Sequence, residues 1–332
     1  MNRKTFKQMV LACLLAIPMI AAAVDDNTVE IVYSGNTARV TVADNISSYV
    51  TVSSGNSSHV KIVQSASFSG VDKTSDNEDG EIIYALSGQS DDGEFYMEGS
   101  YKCVVELGGL TLTNPAGPAI NVQNGKRIEL SAKKNTINTI ADGANEDYNG
   151  CYHAKGHTKF KGKGTLNVVG NSKHGIYSKE YIEVKNLTIN ITSAAKDAIH
   201  CKEYFLMESG TVNITGAGDD GIQVELKGDT STGKTTGHED EDSGNFYQED
   251  GTLSISGYGS KAIKADGNIT YTGGTQNFDK TDVADATGID SVWTDDASET
   301  RVFDLQGRQA KASKSGLYII KNGSKARKIL VR

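Results

Sequence analysis

Apolar and polar residues alternate along most of this chain, and short alternating words recur at a fixed spacing. His174-Gly175-Ile176-Tyr177 returns as Asp197-Ala198-Ile199-His200 and again as Asp220-Gly221-Ile222-Gln223. Between the copies lies a second shared word, Thr188-Ile189-Asn190-Ile191 and Thr211-Val212-Asn213-Ile214. Period-two alternation predicts strands with one buried face. A repeat in the low twenties, with small residues at its corners, is the mark of a solenoid. Aligning on the small residue before each apolar one gives Ala119, Gly150, Gly175, Ala198, Gly221 and Ala262; a second corner precedes Thr165, Thr188, Thr211, Thr252 and Thr275. The wide gap between Gly221 and Ala262 is then one ordinary turn carrying an insertion, residues 227–245. That insertion is rich in Gly, Thr and acids and holds His238-Glu239-Asp240-Glu241-Asp242, which reads as a loop off the solenoid.

Two strand words per turn and no helical periodicity predict an all-β chain, a parallel β-helix with rungs of about 23 residues. A right-handed coil is expected, because crossovers between parallel strands take that hand. Residues one rung apart then stack about 4.8 Å apart, so the sequence can be read as columns.

The ends read differently. Arg3, Lys4 and Lys7 precede an apolar run, residues 9–20, and then Ala21-Ala22-Ala23. That pattern makes residues 1–23 a signal peptide cleaved near Ala23 and the mature chain an exported one. Cys13 lies inside the apolar run rather than at its end, which argues against a lipid anchor. Residues 24–92 alternate as strands between Ser/Gly/Asn turns and are expected to form first rungs or a cap over the open solenoid end. The β-helix proper spans 93–278, and an acidic linker spans 279–299. Residues 300–332 form a separate small β-sandwich-like module; from Arg301 on, it holds nine Lys/Arg against the single acid Asp304, with an Asn322-Gly323 hairpin signal.

Composition narrows the partners. Only 7% of residues are aromatic, which suits a solenoid, whose turns each bury a thin stripe. A net charge of −8 argues against nucleic acid and anionic membrane. No other run is long and apolar enough to insert in a bilayer, and a monomer is expected. Beyond the signal, Cys103, Cys151 and Cys201 are an odd, irregular set without metal spacing, and read as small buried hydrophobes.

Three columns carry candidate chemistry. Outward Thr136, Thr165, Thr188, Thr211, Thr252 and Thr275 run beside Asn138, Asn167, Asn190, Asn213, Ser254 and Asn277. This flat ladder suits a regular polymer or ice, or it only hydrogen-bonds along its own stack. Before each small residue stand Asn149, His174, Asp197, Asp220 and Lys261. Asp197 and Asp220, with Asp219 adjoining, are like charges one rung apart that need a cation between them. Calcium is one candidate; neutralisation by His174, Lys196 and Lys261 is the other. Two places after the small residue come Tyr152, Tyr177 and His200, then Gln223 and Lys264. Outward rings beside carboxylates make a sugar platform, or a tyrosine stack that only stabilises the corner.

Asp197-Ala198-Ile199-His200, the run from Glu208 to Ile214, Asp219-Asp220-Gly221-Ile222 and the run from Lys261 to Gly267 resemble the secreted carbohydrate-binding β-helix family related to pectate lyases. The resemblance covers residues 80–278. It implies a right-handed three-faced β-helix, bound calcium, and binding of acidic or cellulosic plant polysaccharide without cleavage. By motif, Asp197, Asp219 and Asp220 are the implied metal ligands; Tyr152, Tyr177 and His200 are the candidate carbohydrate contacts. The long insertion and Lys261 depart from the family pattern. Val302-Phe303-Asp304-Leu305-Gln306-Gly307-Arg308, Gly316-Leu317-Tyr318-Ile319-Ile320 and the basic residues 328–332 resemble the sorting domain of type IX secretion in Bacteroidetes. That implies engagement of secretion machinery and a place at the cell surface.

An enzyme is the competing reading. Asp197 followed by Asp219-Asp220 is similar in spacing to the catalytic acids of polygalacturonases, which work as paired carboxylates. The accompanying Gly-His-Gly and Arg-x-Lys words are missing: Ser260-Lys261-Ala262 stands there, and no Arg occurs between Arg127 and Arg301. The same gap weighs against a lyase. No catalytic residue is therefore assigned. A purely structural surface or adhesin β-helix is the third reading.

Overall fold

Each turn of the chain contributes three strands rather than two. In the computed structural model the described residues are 24–145, 147–228, 241–279, 283–284, 300–305, 307–309, 316–322 and 325–331. A representative turn lays down His174–Ser178 on one face (face A), Ile182–Lys185 on the next (face B) and Thr188–Ala194 on the third (face C). The following turn, Ile199–Lys202, Tyr204–Met207 and Thr211–Ile214, pairs with it strand for strand in parallel. Two strands merged into one word in the sequence because only Glu203 separates Ile199–Lys202 from Tyr204–Met207. Glu203 makes that corner alone, at φ 68°, with no Gly or Pro to mark it. The corner from B to C is better signposted: Gly210 and Gly251 stack there with φ of 99° and 85°. A Cβ on Gly251 would sit 2.6 Å from the Gly210 carbonyl oxygen.

Among the described residues ten strands form face A, from Val50–Val52 to Val283–Ala284. Faces B and C belong to one sixteen-stranded sheet, because the long strand Cys103–Asn114 serves both. Its residues 103–107 pair with Ile128–Ala132, and 111–114 pair with Ile137–Asp142. Parallel register then repeats: Ile176, Ile199, Ile222 and Ile263 are paired in turn on face A. All four are fully buried. On face B, Phe205 and Phe246 stack inside with centroids 5.2 Å apart and planes 4° from parallel. Burying such side chains contributes about 1.5–3 kcal/mol each. Cys103, Cys151 and Cys201 are buried and free, and burial pushes the Cys103 thiol up to about 12.

The insertion leaves the stack intact, since Thr211 pairs with Thr252 and Ile214 with Ile255 across it. Its ends are held together where the Lys227 and Gly228 N–H groups donate to the Asp242 carboxylate at 2.7 and 2.9 Å. Residues 229–240, including His238, lie outside the described residues, as do residues 1–23 and most of the linker. Within the stretch read as linker, Val283–Ala284 adds one more strand to face A. Two residues are too short to show alternation.

At the other end two antiparallel pairs close the stack: Thr28–Ser34 with Thr37–Val42, and Val50–Val52 with His59–Gln64. They merge into the solenoid, as Thr28–Ser34 pairs in parallel with Ile82–Ser90 and His59–Gln64 with Glu94–Gly99. One 3-10 helix, Asp44–Tyr49, which alternation alone did not reveal, inserts Ile46 into the core. Thr300–Phe303, Gly316–Asn322 and Lys325–Val331 form a three-stranded antiparallel sheet of their own.

Candidate functional site

Face A presents two outward columns, and finding them requires the register between Ile120 and Ile176. Gly150 pairs with His174, Tyr152 with Ile176 and His153 with Tyr177. The counterpart of Gly175 is therefore Cys151, not Gly150. A slip of one residue exchanges inside and outside. Tyr152, expected among the carbohydrate contacts, is fully buried: its hydroxyl lies 3.0 Å from the Thr158 hydroxyl and its ring packs against Phe160. His153 takes the outward place. Matching Tyr152-His153-Ala154 to Ile176-Tyr177-Ser178, apolar to apolar, would have given the true register.

The first outward column is Tyr96, Asn121, His153, Tyr177, His200, Gln223 and Lys264. His153 and Tyr177 rings lie 5.2 Å apart, Tyr177 and His200 5.5 Å. So Tyr177 and His200 do stand together as expected, though each is mostly buried. Burial holds His153 neutral, with its pKa lowered to about 4, and its Nδ1 has no hydrogen-bond partner. Two residues further along each strand runs a second column, Glu98, Gln123, Lys155, Lys179, Lys202 and Glu225, which sequence reading passed over. The signal was present as a lysine two places after each of His153, Tyr177 and His200. Lys202 pairs with Glu225 at 3.3 Å. Lys155 and Lys179 are exposed and make no ion pair among the described residues. Gln123, Asn149, His153, Lys155, Tyr177 and Lys179 line a groove of about 270 Å³.

Beside this platform, at the corner from face C to face A, stand His174, Asp197 and Asp220. Asp197 is almost fully buried, and both its oxygens are engaged. Oδ1 accepts the Asp220 N–H at 3.0 Å; Oδ2 lies 2.9 Å from His200 Nδ1 and 3.2 Å from His174 Nδ1. Burial opposes ionisation of Asp197, but the two imidazoles and the Asp220 N–H outweigh it and hold the carboxyl well below its usual range. Asp220 repeats the motif one rung on: its Oδ1 accepts the Lys261 N–H at 2.9 Å. Its Oδ2 is buried without a hydrogen-bond partner, with Lys264 Nζ 3.7 Å away. Burial and the charges of Asp197 and Asp219 raise the Asp220 carboxyl, against the Lys261 N–H. Asp197, Asp219 and Asp220 do bring carboxylate oxygens within 4.8 Å of one another, with Asp219 exposed. As a test of calcium, the donor set divides: Asp219 and Asp220 Oδ2 offer oxygens of the right kind, whereas Asp197 Oδ1 accepts the Asp220 N–H and Oδ2 faces two imidazole nitrogens.

Face C is closed upon itself. Asn213 Nδ2 donates to Asn190 Oδ1 and Asn190 Nδ2 to Asn167 Oδ1, each at 2.9 Å. The outward residues paired with Thr165 and Asn167 are Ile137 and Thr139, rather than Thr136 and Asn138. Asn138 points inward, where its Oδ1 accepts the N–H groups of Gly109 and Leu110 at 2.9 Å each.

A family model described as "Carbohydrate-binding domain-containing protein" matches residues 71–326. No curated protein matches the sequence. Among solved structures the chain is similar to the polysaccharide lyase-like protein from C. thermocellum, a gadolinium derivative. The two are 18% identical with a TM-score of 0.48, over 78% of this chain and 99% of that one.

Proposed function

The chain belongs to the family of carbohydrate-binding domain-containing proteins, and we propose that it binds an acidic polysaccharide along face A, outside the cell, without cleaving it. The observation that carries this reading is the double column itself. The stacked rings of His153, Tyr177 and His200 line one side of the platform, and Lys155, Lys179 and Lys202 offer cations at one-rung spacing. A chain carrying carboxylates would meet Lys155 and Lys179, which have no ion pair to break among the described residues.

Cleavage has less support. A hydrolase needs two carboxyls open across the bond, but Asp197 and Asp220 are both buried, and Asp197 Oδ2 faces two imidazole nitrogens. Calcium is the second part of the proposal, with Asp219 and Asp220 Oδ2 as its holders; it would offset their repulsion and lend positive charge to the platform edge. The independent basic sheet of residues 300–331 supports the reading of a sorting module that delivers the protein to the cell surface.

Retardation on gels containing polygalacturonate, against gels containing a neutral glucan, tests the main claim. Mobility should fall on the acidic polymer and recover in Lys155→Glu with Lys179→Glu. Equal mobility on both gels, or release of reducing or unsaturated ends, would sink it.

A further inference from the structure

We propose that His174, Asp197 and His200 form a binding site for one divalent transition-metal ion of the zinc class, a site separate from the calcium assigned to Asp219 and Asp220. This rests on the corner's own geometry and does not require the polysaccharide reading. His174 Nδ1, His200 Nδ1 and an Asp197 oxygen all lie within 4.8 Å of one another. The two nitrogens are 3.2 and 2.9 Å from Asp197 Oδ2. Three donors bonded to one tetrahedral ion at about 2.0–2.1 Å sit roughly 3.3 Å apart, close to both nitrogen–oxygen distances here.

Two further observations point to a ligand rather than to a hydrogen-bond cluster. His174 is 7% exposed, and its Nδ1 faces Asp197 yet makes no hydrogen bond. One carboxylate oxygen with two imidazole nitrogens aimed at it, one of them without a hydrogen bond, is a good arrangement of metal ligands. Also, the far nitrogen of His200, Nε2, lies 3.4 Å from Glu225 Oε2. A metal-bound imidazole commonly donates its other N–H to a carboxylate, which fixes the ring and strengthens it as a ligand. Glu225 is held for that part by Gln223 Nε2 at 2.8 Å and Lys202 Nζ at 3.3 Å.

The donor set selects the ion. Two imidazoles and a carboxylate suit zinc, cobalt, nickel or copper, whereas calcium takes oxygens. Three protein ligands leave a position for water or for an oxygen of a bound molecule. Asp197 Oδ1 remains with the Asp220 N–H, so loading this site leaves the rung-to-rung bond in place.

The test uses untagged full-length protein stripped with chelator and titrated with cobalt, then zinc. One cobalt per chain should give the visible absorption of a nitrogen-ligated, low-coordinate ion, and zinc should displace it while a thousandfold excess of calcium does not. His174→Gln or His200→Gln should weaken binding by about 100-fold or more, and Glu225→Gln by about 10-fold. Circular dichroism of each variant reports folding, and the wild-type cobalt spectrum decides the ligand class even where a variant does not fold. No uptake by the wild type, an all-oxygen spectrum, displacement by calcium, or unchanged affinity in folded histidine variants would each overturn the assignment.

Discussion

Faces A and C are built from the same 23-residue repeat and stack at the same pitch, yet they treat their outward side chains in opposite ways. On face C the amides of Asn167, Asn190 and Asn213 satisfy one another along the stack, so the ladder's bonding capacity is used within the protein. On face A the column mixes rings with lysines, and Lys155 and Lys179 make no ion pair among the described residues. A repeated polar column is thus evidence of binding only where its members cannot serve one another. Asn is both donor and acceptor and pairs with itself; Lys is donor only and repels its copy on the next rung.

The comparison can be broken most severely through the lysines. Lys155→Ala, Lys179→Ala and Lys202→Ala together should cost about 30-fold in affinity for an acidic polysaccharide, roughly 2 kcal/mol from three exposed ion pairs. Thermal melting should change little, since two of the three have no ion-pair partner among the described residues to lose. Gel retardation and calorimetry check this; a tenfold loss from disrupting face C instead would reverse the assignment of faces.

A second effect concerns pH. Burial lowers the His153 pKa from 6.5 to about 4. Between those values the unfolded chain takes up a proton that the folded chain refuses, so stability falls as pH drops through the window and levels off below it. The full span is up to about 3 kcal/mol. Denaturant titrations from pH 7 to 4 should show this slope, and His153→Gln should flatten it.

On face C, Asn190→Ala removes a bond on each side of its rung and should cost about 1–2 kcal/mol of stability with polysaccharide affinity unchanged. A parallel drop in affinity would mean that the ladder is a binding face after all. The smallest effect is that of calcium: millimolar calcium should raise the melting temperature by a few degrees, and Asp219→Asn should remove the rise.

The period was legible because small residues and apolar residues recur at fixed offsets, and the core follows from it. The three-faced section was not read from periodicity, since Glu203 turns a corner that Gly or Pro would have announced. Register failed in two places: on face C, where Ile137 and Thr139 stand in place of Thr136 and Asn138, and on face A, where Cys151 replaces the usual Gly or Ala and Gly150 stands beside it as a decoy. The slip on face A is why Tyr152 was placed outside and His153 overlooked. The acidic corner was half legible. Its column placed Asp197 beside Asp220, but only side-chain directions reveal that Asp197 turns to His174 and His200.

The clasp between Lys227, Gly228 and Asp242 has a consequence for how such a chain can change. Its two ends meet at the corner from face A to face B, where Lys227 Nζ is also gripped by Glu180 and Glu203 at 3.2 and 2.9 Å. Closing a flexible segment between fixed ends costs only about 0.6 kcal/mol more for each doubling of its length. The corner is therefore an insertion port: sequence of varied length, or a second recognition module, can be spliced between the clasped ends while the rungs above and below keep their register.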